Sequence, residues 1–75
     1  MSNEYLKKAE FVNGLCDLLL TDPRSNVDLL HYELLSDLNE EIVHVCYKGG
    51  HHVKLLVTGT SIGFISKEII NEVYK

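Results

Sequence analysis

Residues 42–58, IVHVCYKGGHHVKLLVT, read as two alternating, β-branched runs around a Lys48-Gly49-Gly50 turn, the pattern of a β-hairpin. Its register can be worked out from the residues. A two-residue Gly49-Gly50 turn puts Ile42, His44, Cys46 and Lys48 on one face with His51, Val53, Leu55 and Val57, mixing charge and imidazole with the core. A three-residue loop shifts the pairing by one and reverses the contribution of the second strand. Val43, Val45 and Tyr47 then share a face with Val53, Leu55 and Val57. The other face carries Ile42, His44, Cys46, Lys48, His52, Lys54, Leu56 and Thr58. Only this register separates apolar from polar. It also puts a glycine third in the loop, where a type I turn followed by a bulge needs positive φ.

Working outward, Leu6, Ala9, Val12, Leu15, Cys16 and Leu19 recur at three- and four-residue spacing. That spacing predicts an amphipathic helix over residues 3–21, capped by Ser2 or Asn3 and favoured by Glu4 at the positive end of its dipole. Gly14 weakens it somewhat, and Asp22-Pro23 ends it. Arg24-Ser25-Asn26 reads as a polar connector. Residues 27–38 carry two periods: Val27, Leu30, Leu34 and Leu38 have helical spacing, while Leu30, Tyr32 and Leu34 alternate with His31 and Glu33. We favour the strand, because a lone hairpin is marginal in water and a third strand makes a viable sheet. Ser36-Asp37-Leu38-Asn39 supplies the following turn. After Thr58, Gly59-Thr60-Ser61 breaks the strand and offers hydroxyl caps. Ile62, Ile65, Ile69 and Val73 form a second helical stripe, widened by Phe64 and Ile70 and closed by Lys75. The expected fold is α+β: one domain over residues 1–75, a three-stranded antiparallel meander flanked by N- and C-terminal helices (α-β-β-β-α), both packed on one face. The alternative is two or three helices on a β-hairpin.

A chain of 75 residues supports one modest core, worth about 3–5 kcal/mol, so self-association, as a dimer, is within reach. The apolar fraction of 45% argues against disorder. Seven Lys plus Arg against eleven Asp plus Glu give a net charge of −4. Lys7-Lys8 is the only adjacent basic pair, which disfavours the phosphate contacts that drive nucleic-acid binding. The carboxylates are scattered, with Asp37, Glu40 and Glu41 grouped in one expected loop. Cys16 and Cys46 make no disulfide framework. There is no signal-peptide hydrophobic region and no apolar run of membrane-spanning length. A reduced, soluble, cytoplasmic protein is expected.

The segment EEIVHVCYKGGHHVKLLVTGTSIGFISKEIINEVY resembles the C-terminal half of small hypothetical proteins common in phages and mobile elements of Gram-positive bacteria. In those proteins a strand-turn-strand of the form Y-x-G, then V-T-G-x-S, leads into an apolar helix. The resemblance covers about half the chain and rests on structural residues. It implies an accessory protein that binds a host protein. The α-β-β-β-α order is also similar to the double-stranded RNA-binding domain. The basic cluster that begins that family's last helix is missing, since Lys67 stands alone and is followed by Glu68.

Among side chains that could carry chemistry, His44, Cys46 and His52 form the sharpest group. In the three-residue-loop register all three project from the polar face, with Cys46 opposite His52 and His44 two residues along. Imidazole and thiolate are zinc ligands, and cross-strand neighbours lie about 5 Å apart at Cβ, so a zinc module on these three residues is one reading, with water or His31 as fourth ligand. The other reading is an ordinary half-exposed sheet face with Cys46 as a small hydrophobe. His51-His52 beside Gly49-Gly50 reads as a polar hairpin tip. A nucleophilic Cys46 served by His44 or His52 lacks an acid to orient the base and an enclosed pocket, so the chain reads as non-enzymatic. Cys16 reads as core. Neither glycine-containing turn has a phosphate-loop signature.

The leading expectation is a protein-protein interaction module. Ile42 and Leu56 fall on the face the helices leave uncovered, with Lys54, His52 and His44 around them and Leu29 and Leu35 placed to extend it. Grouped apolar residues on an open sheet mark a binding surface or dimer interface, whereas scattered surface leucines need no explanation. A meander also leaves its first and third strands as edges able to add a partner's strand. The expected partner is a protein or a second copy, with nucleic acid ranked below both.

Overall fold

The computed structural model describes residues 3–35, 40–59 and 61–75. Its elements are α1 (Asn3–Leu20), β1 (Val27–Leu35), β2 (Glu40–Tyr47), β3 (His52–Leu56) and α2 (Ile62–Val73). The strands form one antiparallel sheet in the order β1-β2-β3, which is the expected α-β-β-β-α arrangement. Residues 27–35 are strand, so the all-helical reading of that segment does not hold. The expected turn at Ser36-Asp37-Leu38-Asn39, the Thr60 hydroxyl and the cap at Ser2 or Asn3 lie outside the described residues and side chains. Glu40 and Glu41, expected in a loop, instead begin β2, because the alternation of Ile42, Val43, His44 and Val45 extends back through them.

The hairpin has the three-residue loop. Val45 pairs with Val53 and Cys46 with His52, and the Tyr47 N–H donates to the His51 carbonyl at 2.8 Å. Gly50 takes φ +90°, the left-handed value that a side chain opposes by roughly 1–2 kcal/mol. Gly49 keeps an ordinary φ and open space around a would-be Cβ. Gly50→Ala is therefore expected to cost about 1 kcal/mol, and Gly49→Ala to be neutral or slightly stabilising. Urea denaturation of the two variants side by side checks both.

The β1–β2 register slips between Val27 and Leu29, leaving Asp28 as an extra residue. Such a bulge resets the alternation: Val27 and Leu30, three residues apart, both face the core and both are buried. They join Tyr32, Val43 and Val45 from the same face of the sheet, Val12, Cys16 and Leu19 from α1, and Ile65 and Ile69 from α2. Both helices therefore cover one face and leave the other bare.

Two polar features pin this arrangement. Ser25, in the expected polar connector, is 2% exposed. Its hydroxyl donates to the Leu19 carbonyl at 2.7 Å and accepts from the Val27 N–H at 3.3 Å, so it closes α1 and starts β1 with one group. Asn26 follows with φ +56° and accepts the Lys48 N–H at 2.9 Å, tying the connector to the hairpin loop. The second feature is Glu41. Its carboxylate accepts from Lys8 Nζ at 2.6 Å, from the Tyr32 hydroxyl, and from the Gly59 N–H at 2.8 Å. One side chain thus joins α1, β1, β2 and the link into α2. That link ends at Ser61, whose extended backbone and hydroxyl, accepting from the Phe64 N–H at 3.2 Å, cap α2 as expected.

Candidate functional site: the open face of the sheet

Strand alternation places Leu29, His31 and Glu33 of β1, Ile42, His44 and Cys46 of β2, and His52, Lys54 and Leu56 of β3 on the uncovered face. The registers arrange them in rows across the three strands: Leu29–Cys46–His52, His31–His44–Lys54 and Glu33–Ile42–Leu56. Leu35 follows on β1, opposite Glu40. The apolar residues stand at two ends. Leu56 is 65% exposed and pairs with Ile42 at one, and Leu29 is 50% exposed at the other.

A polar chain runs between them. His44 Nε2 lies 3.0 Å from Glu33 Oε1, and His44 Nδ1 lies 3.1 Å from His52 Nε2. The His44 and His52 rings stack with centroids 5.3 Å apart, and His31 lies beside His44 at 5.9 Å. His44 and His52 are diagonal rather than directly opposite, a separation that long side chains can bridge on an antiparallel pair. The three-ligand set of His44, Cys46 and His52 expected from the register is not assembled. Among the described residues no three His, Cys, Asp or Glu side chains are grouped to hold a metal. The imidazoles engage each other and Glu33, and Cys46, with its single methylene, does not join them. His31 lies on the same face, as its anticipated parity required, but as a ring neighbour of His44. His51 stacks on Tyr47 at 5.7 Å near the hairpin tip.

Away from this face, a cleft of about 350 Å³ lies between the α1–β1 connector, the hairpin loop and the end of α2, lined in part by Arg24, Ser25, Tyr47, His51 and Glu72. Its hydroxyls are already committed. Ser25 donates to the Leu19 carbonyl, and Tyr47 donates to Glu72 Oε2 at 2.9 Å. Burial, reinforced by Glu72, pushes the Tyr47 phenol up to about 12, so it stays protonated at neutral pH. Cys16 is buried in the core, its sulfur accepting from the Leu30 N–H at 3.3 Å. No described helix is long and apolar enough to cross a membrane.

Glu33 is the member of the site that the sequence reading passes over. The alternation of Leu30, Tyr32 and Leu34 with His31 and Glu33 already puts Glu33 on the outward face, but it does not identify the diagonal neighbour His44, which only the β1–β2 register supplies. Set against known protein families, curated proteins and solved structures, the chain matches none of them.

Proposed function

We propose that this chain is a small, non-enzymatic protein-protein interaction module that docks through the open face of its sheet. The observation that carries the reading is the Ile42–Leu56 pair, side by side across β2 and β3, with Leu56 65% exposed on a face neither helix covers. Burying a leucine side chain on association is worth about 1.5–3 kcal/mol, so a partner gains from covering it. The polar chain of Glu33, His44 and His52 and the exposed Lys54 supply orientation around that anchor. Against catalysis stands the commitment of the cleft's hydroxyls to internal acceptors and the burial of Cys16. We take that partner to be a host protein met in the cytoplasm, which is what the resemblance of the C-terminal half to small phage and mobile-element proteins implies.

The test is capture by the tagged chain from host lysate, with nuclease treatment, beside sedimentation of the purified chain. Leu56→Lys and Ile42→Lys are each expected to weaken the dominant nuclease-resistant association, or self-association, at least tenfold while circular dichroism stays native. Undiminished association in both variants overturns the proposed surface. Association that nuclease removes assigns the chain to nucleic acid instead.

A further inference from the structure

We propose that His44 and His52 form a two-imidazole chelate for a divalent transition-metal ion of the zinc, nickel and copper class. The inference does not depend on the docking role above. It stands on the Glu33–His44–His52 chain. A carboxylate only accepts hydrogen bonds, so His44 Nε2, 3.0 Å from Glu33 Oε1, carries that ring's proton. The Nδ1 of the neutral ring is then a bare lone pair, and it faces His52 Nε2 at 3.1 Å. Zinc binds imidazole nitrogen at about 2.0–2.1 Å, so two such ligands on one ion lie roughly 3 Å apart. The hydrogen-bonded separation of 3.1 Å therefore needs to open by only a few tenths of an ångström to admit an ion bound to both nitrogens.

The carboxylate behind the imidazole is the second element. Metal-binding histidines donate their other ring N–H to a carboxylate or carbonyl, which fixes the tautomer and raises the ligand's basicity. Glu33 holds His44 in that way. In the metal-free chain the His52 Nε2–H donates to His44 Nδ1. An ion bound to both nitrogens would sit to one side of the line joining them and replace that hydrogen bond, with the His52 proton moving to its own Nδ1, which leaves the proton count of the ring unchanged. Imidazole pairs suit zinc, copper and nickel. No third His, Cys, Asp or Glu completes the group among the described residues, so solvent occupies the remaining positions. Lys54 stands opposite His44 in the register and is exposed, so its charge is solvated.

Calorimetric titration of the untagged, reduced chain with zinc chloride and with nickel chloride at neutral pH tests this. One ion per chain is expected. His44→Ala and His52→Ala should each weaken binding at least tenfold, and Glu33→Gln by about 10–100-fold. Cys46→Ser and His51→Ala should bind as the parent does. Circular dichroism on each variant separates loss of the site from loss of the fold, and the exposed His52 and half-exposed Glu33 leave the core untouched. Binding that survives both His44→Ala and His52→Ala overturns the assignment, as does no binding by the parent at millimolar metal. Loss in Cys46→Ser as large as in His52→Ala overturns it too, in favour of a thiolate centre.

Discussion

Glu41→Ala is expected to leave most of the chain unfolded at room temperature, seen as loss of far-UV circular dichroism and of a cooperative urea transition. Lys8 Nζ sits 2.6 Å from the Glu41 carboxylate, and the two side chains are only 11% and 14% exposed. Removing one partner of a buried pair strands the other charge away from water and costs about 3–5 kcal/mol. A core of this size supplies about the same amount in total, so the two cancel. The damage also spreads beyond the pair, because the Tyr32 hydroxyl and the Gly59 N–H lose their acceptor in the same step. Lys8→Met is expected to cost clearly less. It keeps an unbranched apolar stem in place, and it leaves Glu41 ionised with Tyr32 and Gly59 still donating.

The same network sets how the fold responds to acid. Burial alone raises the Glu41 carboxyl, but the hydrogen bonds from Lys8, Tyr32 and Gly59 outweigh it and hold the group below its ordinary value. Burial first, and Glu41 second, push the Tyr32 phenol up, which keeps it the donor. A carboxyl depressed in the folded state contributes stability that is fully present above its unfolded value, about 4.3. That contribution is lost as pH falls through the lower folded value. The parent chain should therefore lose stability progressively as pH falls from about 4.3 toward that lower folded value, and in Lys8→Met, where one of the groups lowering the Glu41 carboxyl is gone, the loss over that window should be smaller.

Glu41 also shows where reading the sequence stops short. The hairpin register follows from the strict alternation of Val43, Val45 and Tyr47 against Val53, Leu55 and Val57, because one choice alone keeps imidazole and lysine out of the core. The same alternation places Glu41 on the core face, but a carboxylate there invites reading it as loop. Its partner lies 33 positions away on α1, and nothing local in Lys7-Lys8 marks the second lysine as the buried one. The double period of residues 27–38 has a physical source as well. The bulge at Asp28 makes Val27 and Leu30 both buried at a helical spacing inside a strand. From Leu30 onward the plain alternation sets His31 and Glu33 outward, and what the sequence leaves open is which β2 residues stand beside them. The Ile42–Leu56 pair has no such gap, and it follows from the hairpin alone.

Ile69→Ala is expected to destabilise the fold by about 2–5 kcal/mol and to free α2 from the sheet. Ile65 and Ile69 are the two fully buried side chains of that helix. Its named polar ties to the rest of the chain are Tyr47 to Glu72 at 2.9 Å and the exposed Tyr74 to Asp22 at 2.6 Å, and such bonds contribute only about 0.5–1.5 kcal/mol each. Ile65 and Ile69 therefore supply the fully buried part of the α2 contact, with Ile70 and Val73 packed beside them, and shortening either isoleucine leaves a cavity in the core. Hydrogen exchange should show α2 amides exchanging before those of β2. Phe64→Ala, on the same helix but 44% exposed, should change stability by about 0.5 kcal/mol or less. Leu56→Ala belongs with Phe64→Ala if the open face is bare in the isolated chain. A loss in Leu56→Ala as large as in Ile69→Ala, growing with protein concentration in the parent's favour, would mean instead that Leu56 is buried between copies. Comparing Leu56 with Ile69 thus distinguishes a face kept open for a partner from one already closed by a second copy of the chain.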